Sequence, residues 1–359
     1  MLSALLLIAL VSQNVQIDVS NWMEMLESGK LEKLESAIRQ HPEKAVPIVE
    51  ELLVRFDSSI HSWRDRPEQR RVRYSDELLQ SGLELARLVT EVTGENSLQR
   101  RFEARRDRIS ATQMLNDGEF DGAMDLIVSV RSTARELEDQ SFLFSTYLSS
   151  SYAYLGTGQP ERALVDCELA LDVARRIGDK AKLTLALFNV GTAHLHLGNL
   201  DDSLVYSVQA AEAAAEINNK IWQANAWLNI GYVQIMKGDY TPAVKSLQRT
   251  MTLSQEAGDP LGEGRAWYNL GIAYFRLRQW TLARDHLENA LDFIRSVDIR
   301  HSHDITEFNT IERDALQRLL YSYEQLDVTD SALLKPVENR LDEFEKMDDG
   351  GDKTPGHVH

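Results

Sequence analysis

The sequence predicts an all-α protein made of stacked helix pairs, and three observations support this fold class. Residues recur at a step of forty positions, and apolar side chains follow helical spacing within each step. No segment shows the alternation of a half-buried strand. Proline and glycine, which disfavour helix interiors, are scarce, with 8 and 19 copies among 359 residues. Because a lone helix pair cannot bury both its apolar faces, repeated pairs must stack on their neighbours.

The composition is that of a globular chain with an acidic surface. Apolar residues make up 43% and charged residues 26%, which excludes wholesale disorder. A net charge of −17 argues against nucleic acid as a partner, because such binding needs clustered lysine and arginine. The single cysteine excludes an intramolecular disulfide framework and a cysteine-based zinc cluster.

The two ends differ from the rest of the chain. Residues 1–16 form a signal-like apolar segment, whose core at 2–11 is too short to span a bilayer. This segment could be an export signal or a membrane-associated start of the protein. The alternatives are a mis-assigned start codon and an apolar helix that packs on the stacked helix pairs. We expect an exported or periplasmic protein, with a cytoplasmic one as the alternative, and membrane contact at most through this segment. Residues 348–359 predict a disordered tail.

Between the ends, the step of forty defines the organisation. We predict N-terminal helices with a divergent repeat in residues 17–100, five repeats in residues 101–300 and a capping helix pair in residues 301–347. One marker position of the repeats is occupied by Gly118, Gly158, Gly198, Gly238 and Arg278. A second marker position is occupied by Ala123, Ala163, Ser203, Ala243 and Ala283. Each repeat ends at a short turn, such as the Gly-Asp pairs at 178–179 and 258–259.

The fifth repeat shows the pattern most completely. Its key residues are Trp267, Leu270, Gly271, Tyr274, Ala283, Leu287 and Ala290. This order of residue types resembles the tetratricopeptide repeat family, in a variant longer than the usual thirty-four residues. The resemblance covers over half of the chain and implies a right-handed α-solenoid of stacked antiparallel helix pairs. It is specific for the fold and only suggestive for the function.

The sequence contains no convincing catalytic or metal-binding arrangement. His301, His303 and Asp304 would point from different faces of a helix, and such a cluster in a loop is more often a solvated linker than a metal site. Cys167 and His194 fall where the family buries packing side chains, so we predict that both are core residues. We therefore predict no enzyme activity, no cofactor, no metal and no small-molecule substrate.

The resemblance implies that positions two, five, six, nine, twelve and thirteen of each repeat face a concave groove. Position six is asparagine in three consecutive repeats, at Asn189, Asn229 and Asn269, which we call the asparagine ladder. An amide offers both a donor and an acceptor, so the ladder could pair with successive peptide groups of an extended ligand. The alternative is that each asparagine bonds a neighbouring helix and orders the stack.

Aromatic and basic side chains are the other groove candidates. Phe188, Tyr232 and Tyr268 predict a largely apolar floor that suits an amphipathic or extended apolar peptide, and Arg265 occupies another groove position. The alternative is that most of the apolar side chains pack helix on helix. Two further arginines, at positions two and five of the first full repeat, could contact an acidic partner or a terminal carboxylate, or they could simply be solvated. These arginines are Arg105 and Arg108. The carboxylate clamp of the family is not expected, because position nine lacks the asparagine that it needs.

These observations favour a protein–protein interaction scaffold that holds a peptide segment of a partner in the groove. The alternative is a regulatory or sensor arm of a bacterial signalling system that acts on a separate output protein. An enzyme is disfavoured because no site for one is evident.

Overall fold

The computed structural model describes residues 82–94, 96–296 and 305–350, together with Arg39, Val46, Val49 and Glu50. The apolar segment at 1–16 and the predicted cluster at 301–304 lie outside the described residues. Within the described ranges, every regular element is an α-helix. The chain divides into two compact units, Met1–Thr146 and Tyr147–His359.

The first unit contains two helices in contact, and the second of them is amphipathic. Residues 82–93 are helical, and they precede α1 (Ser97–Asn116) and α2 (Phe120–Glu136), which contact each other. The buried residues of α2 are Ala123, Ile127, Val130 and Ala134. Their spacing of three or four residues places them on one face of the helix, so this face forms the core. The next helix, α3 (Gln140–Gly156), begins in this unit and ends in the second.

The second unit continues as a series of helices of similar length. They are α4 (Pro160–Ile177), α5 (Lys180–His196), α6 (Leu200–Glu216), α7 (Lys220–Lys237), α8 (Tyr240–Ala257), α9 (Pro260–Arg276), α10 (Trp280–Ser296), α11 (Ile305–Gln325) and α12 (Ser331–Gly350). From α4 to α12, each helix contacts the next one along the chain. The predicted all-α solenoid of stacked antiparallel helix pairs is confirmed. Helix α12 continues past residue 348, where the sequence predicts the start of the tail.

The marker position of the repeats is a left-handed turn residue. Gly158, Gly198 and Gly238 have φ angles of 69°, 74° and 83°, and Arg278 occupies the same slot with φ 58°. A side chain in this region costs roughly 1–2 kcal/mol, whereas glycine adopts it freely. The glycines therefore recur because each helix pair needs this turn to reverse the chain.

The polar residue at the turn between repeats caps the next helix at Asp179 and Asn219, whereas Asp259 in the same position makes no side-chain capping bond. An Oδ1 atom of Asp179 accepts hydrogen bonds from the backbone N–H groups of Ala181 at 2.9 Å and Lys182 at 3.1 Å. The Oδ1 of Asn219 accepts one from the N–H of Trp222 at 3.0 Å. These bonds satisfy N–H groups that a helix start leaves without partners. The turn signature thus ends one helix and starts the next.

The glycines inside the first helices allow the two helices of a pair to approach closely. A Cβ atom on Gly231 would lie 2.7 Å from Leu247, and one on Gly271 would lie 2.7 Å from Leu287. Both leucines are fully buried, so a larger residue would have to displace the core.

The two predicted core residues are confirmed. Cys167 is completely buried, and this burial raises the pKa of its thiol to about 11, which makes it a poor nucleophile at neutral pH. His194 is 9% exposed and stacks on Tyr206 with ring centroids 5.4 Å apart. Both side chains therefore contribute to packing.

The described ranges contain neither a candidate membrane span nor a candidate metal cluster. No helix in them combines the length and hydropathy that crossing a bilayer requires. Nor do they contain a group of three or more histidine, cysteine, aspartate and glutamate side chains able to hold a metal ion.

Candidate functional site

The candidate site lies on the first helices of consecutive pairs in the second unit. Helix α5 contacts α7, α7 contacts α9, and α9 contacts α11, so these four helices form a row. We call the surface of this row the first-helix face. The asparagine ladder contributes one residue to each of α5, α7 and α9.

Two ladder asparagines hydrogen-bond to their own helix. The Nδ2 of Asn189 donates to the carbonyl of Leu185 at 2.7 Å, and the Nδ2 of Asn269 donates to the carbonyl of Arg265 at 2.8 Å. A carbonyl can only accept, so the amide nitrogen, not the oxygen, must face the helix in both residues. The bonds fix the orientation of each amide and direct Oδ1 away from the backbone.

The third asparagine joins two helices. The Nδ2 of Asn229 on α7 donates to Oγ1 of Thr192 on α5 at 3.2 Å, and Thr192 Oγ1 donates to the carbonyl of Phe188 at 3.0 Å. Because the only hydroxyl proton of Thr192 is used, its oxygen must act as the acceptor for Asn229. The ladder therefore has a structural role in this rung, and Asn229 still keeps its Oδ1 and one N–H for another partner.

The three rungs differ in accessibility. Asn189 and Asn229 are partly exposed, whereas Asn269 is only 8% exposed. The Oδ1 atom of Asn269 is buried without a hydrogen-bond partner. A buried carbonyl without a donor costs roughly 1–3 kcal/mol of folding stability, so Asn269 is the least well satisfied of the three asparagines.

Tyr268 is partly buried and contacts α11. Its hydroxyl donates to Oδ2 of Asp314 at 2.8 Å, and the two oxygens of Asp314 also accept from the guanidinium of Arg318 at 2.6 and 2.7 Å. Burial of the ring, together with the Asp314 charge and hydrogen bond, raises the pKa of Tyr268 well above its usual range. Its role in this structure is to join α9 to α11.

Two exposed apolar side chains lie on the first helix α7. Tyr232 is 39% exposed and Met236 is 56% exposed, one helical turn apart. Phe188 on α5 is half-buried. Sequence reasoning selected Tyr232 and Phe188 but missed Met236, although Met236 occupies position thirteen, one of the groove positions of the family.

Two arginines lie near opposite ends of α9. Arg265 is half-buried and Arg276 is exposed. The sequence prediction included Arg265 and missed Arg276, which occupies position thirteen of the same repeat. The repeat position of Arg276 could have identified it from the sequence, because an arginine at a groove position of an acidic chain is a candidate for ligand contact.

An aromatic cluster lies where α9, α10 and α11 meet. The ring centroids of Phe275 and Trp280 are 5.4 Å apart, those of Phe275 and Tyr321 are 5.4 Å apart, and those of Trp280 and Tyr321 are 5.6 Å apart. The rings meet edge to face, and Tyr321 keeps 44% of its surface exposed. Such pairs stabilise the junction by about 0.5–1.5 kcal/mol each.

The two arginines predicted to contact an acidic partner lie in the first unit. Arg105 is 2% exposed, and its Nη2 lies 3.1 Å from Oδ2 of Asp139. Its guanidinium also lies 4.5 Å from the ring centroid of Phe142, and that of Arg108 lies 6.0 Å from the same ring. The charge of Arg105 is therefore used inside the protein, so we do not include it in the proposed binding surface. Contact between Arg108 and an acidic partner stays a prediction.

Comparison with known proteins agrees with this architecture. A tetratricopeptide repeat family model matches residues 182–256 and again residues 222–296. No curated protein sequence matches the chain. The tetratricopeptide repeat is typically a non-catalytic protein-interaction fold.

Solved structures of similar fold include a signal transduction ATPase with numerous domains and a tetratricopeptide repeat sensor, from Pyrococcus horikoshii. It is 15% identical, with a TM-score of 0.55, over 95% of this chain and 49% of that chain, so this chain spans about half of its length. A Rap protein complexed with competence and sporulation factor is 15% identical over 94% of this chain and 98% of that one, with a TM-score of 0.52. The apo form of RapI is 11% identical over 84% of this chain and 100% of that one, with a TM-score of 0.53.

At these identities the structural likeness establishes the fold, and the family model adds the repeat type. The matched residues include α5, α7 and α9, which carry the asparagine ladder. Residues 182–296, about a third of the chain, therefore match the tetratricopeptide repeat family.

Proposed function

We propose that this chain is a protein-interaction scaffold that binds a peptide segment of another protein on its first-helix face. The observation that carries the proposal is the surface of α7, where Tyr232 and Met236 are 39% and 56% exposed beside the half-buried Asn229. Exposed apolar side chains next to amide groups suit a peptide, because the apolar groups bind its side chains and the amides bind its backbone.

The asparagine ladder supports this proposal through its two accessible rungs. Asn189 and Asn229 each use one N–H inside the protein, which leaves Oδ1 and the second N–H for a ligand. Because the internal bond already fixes each amide, little side-chain entropy would be lost on binding. The structural alternative accounts for the internal bonds equally well, so the ladder must be tested by its effect on binding.

The test is affinity capture from native lysate with quantitative mass spectrometry. The variant carries Asn189→Ala and Asn229→Ala, and the matched control carries Asn289→Ala, which removes an exposed amide from the second helix α10. We expect a partner that the wild type and the control retain and that the double variant loses, with circular dichroism showing that all three proteins fold. Equal capture by all three proteins would refute peptide binding through the ladder.

A second variant examines the apolar part of the same surface. Tyr232→Ala removes the exposed ring, and Val205→Ala, at 53% exposure on α6, removes a comparably exposed apolar side chain from a second helix. We expect the Tyr232 variant to lose the same partner and the Val205 variant to keep it. The reverse result would place binding on the second helices.

A regulatory or sensor arm is the second candidate function. It is supported by the fold shared with the signal transduction ATPase that has a tetratricopeptide repeat sensor and with the Rap protein complexed with competence and sporulation factor. This function requires that ligand binding change the packing of the helix pairs. Hydrogen exchange of the second helices α10 and α12, with and without the captured partner, separates the two functions, because a passive scaffold predicts protection confined to the first helices.

A further inference from the structure

We infer that the bound peptide is acidic as well as apolar, and that Arg265 and Arg276 hold its carboxylate or phosphate groups. The inference rests on the proposed function and adds the chemistry of the partner. It assigns acid recognition to α9 in the second unit, where both arginines lie on one helix.

Helix geometry places the two arginines on the same face. They are eleven residues apart, so their directions around the helix axis differ by only about 20° after three full turns, and they are separated by about 16 Å along the axis. Tyr268 and Ile272 lie between them at the third and seventh positions after Arg265, so the stripe runs basic, apolar, basic. Because Tyr268 is on this stripe and contacts α11, the stripe belongs to the row of first helices.

The charges of both arginines are available for a ligand. Three other basic residues of the second unit are paired, since Arg318 bonds Asp314, Arg284 bonds Asp285, and Lys237 bonds Asp201. In contrast, neither Arg265 nor Arg276 forms an ion pair or a side-chain hydrogen bond with any part of the described chain. Two unneutralised cations on one helix face contrast with a net charge of −17 and create a local site for anions.

The adjacent helix supplies the apolar half of the site. Tyr232 and Met236 on α7 are 39% and 56% exposed, and α7 contacts α9. Tyr232 on α7 and Tyr268 on α9 lie on adjacent first helices of the same row. A peptide that crosses from α7 to α9 therefore meets apolar groups first and cationic groups next. An amphipathic acidic segment matches both.

The test uses selection from a phage-displayed library of random twelve-residue peptides against the purified full chain. A protein of charge −17 should enrich basic peptides if attraction is non-specific. We expect instead that acidic peptides with aromatic or aliphatic residues are enriched. The charge-reversed variant Arg265→Glu/Arg276→Glu should lose this preference. Arg176→Glu is the matched control, because Arg176 is an exposed arginine on the second helix α4.

Affinity of the best acidic peptide then measures each arginine separately. We expect Arg265→Gln and Arg276→Gln each to weaken binding by about tenfold at low salt, with a smaller loss at high salt, while Arg176→Gln changes it by less than about twofold. Circular dichroism spectra must be the same for all variants. A peptide with glutamine and asparagine in place of its acidic residues should bind the wild type as weakly as the acidic peptide binds the variants.

The outcomes separate the inference from the proposed function. If neutral or basic peptides are enriched and Asn229→Ala abolishes their binding, the first-helix face binds peptides and the acidic specificity is refuted. If acidic peptides bind equally well to the Arg265 and Arg276 variants, these residues do not recognise the acid and the inference fails. If no peptide is enriched, or if Asn229→Ala and Tyr232→Ala leave binding unchanged, both the inference and the proposed function are refuted.

Discussion

The ion pair between Arg105 and Asp139 offers a quantitative test of how charge is used in the first unit. The side chains are 3% and 13% exposed, and the Nη2 to Oδ2 distance is 3.1 Å. Arg105 also donates from Nη1 to the carbonyl of Arg101 at 3.2 Å and lies over the ring of Phe142. Each of these contacts compensates part of the cost of burying a cation. We therefore expect a large penalty when one partner is removed.

The magnitude follows from the burial. Arg105→Met keeps much of the volume but removes the cation beside the Asp139 carboxylate, which still accepts from the N–H of Phe142 at 3.0 Å, so the loss of stability should be about 3–5 kcal/mol. Asp139→Asn keeps an oxygen for that N–H and removes the negative charge beside Arg105, with a similar loss. The double variant removes both charges and should fall only about 1–2 kcal/mol below the wild type. The coupling energy of the cycle should then exceed about 2 kcal/mol.

The assay is urea unfolding followed by far-ultraviolet circular dichroism for the wild type, both single variants and the double variant. Hydrogen exchange of the α1 amides identifies the part of the chain that is destabilised, because repeat proteins can open locally. A coupling energy below about 0.5 kcal/mol would refute the internal role of Arg105. It would also restore this residue as a candidate contact for an acidic partner.

Three further predictions concern single side chains. Burial raises the pKa of Cys167 from 9.0 to about 11, so its contribution is complete below pH 9.0 and is lost as the pH rises towards 11. The wild type should therefore lose roughly 2 kcal/mol more than Cys167→Ala between pH 9 and pH 11 in urea unfolding, and parallel losses would contradict the assignment. Arg278→Gly should raise stability by about 1 kcal/mol by relieving a φ of 58°, and an unchanged or lower melting temperature would count against this strain. Tyr268→Phe removes the bond to Asp314 and should destabilise the junction with α11 by about 1–2 kcal/mol, seen as faster hydrogen exchange in α11. Tyr232→Phe is the control for this last change and should leave that exchange unaltered.

Much of the fold could be predicted because the repeats share the residues that a turn and a helix start need. Gly158, Gly198 and Gly238 mark turns that need a positive φ, and the polar residue at 179 or 219 marks the start of the next helix. These requirements depend on neighbouring residues in the chain, so periodicity reveals them without a structure. The core roles of Cys167 and His194 follow from the same register.

The candidate site could be predicted only in part. The position of the asparagines on α5, α7 and α9 follows from the register, but their accessibility does not. Asn269 is 8% exposed while Asn229 is partly exposed, although both occupy the same position of the repeat. Accessibility depends on which side chains of adjacent helices cover each residue, and those side chains differ from one repeat to the next.

The sequence alone determined the helix pairs, their turns, their caps and the residues that face the core, because these depend on backbone conformation and on periodic burial. Only the tertiary structure decided how the polar side chains are used. It showed Arg105 in an internal ion pair, Tyr268 bonded to α11, and Arg265 and Arg276 without a partner in the described residues. Hydrogen bonds and ion pairs join residues that are distant in the chain, such as Tyr268 and Asp314, and no local pattern encodes them.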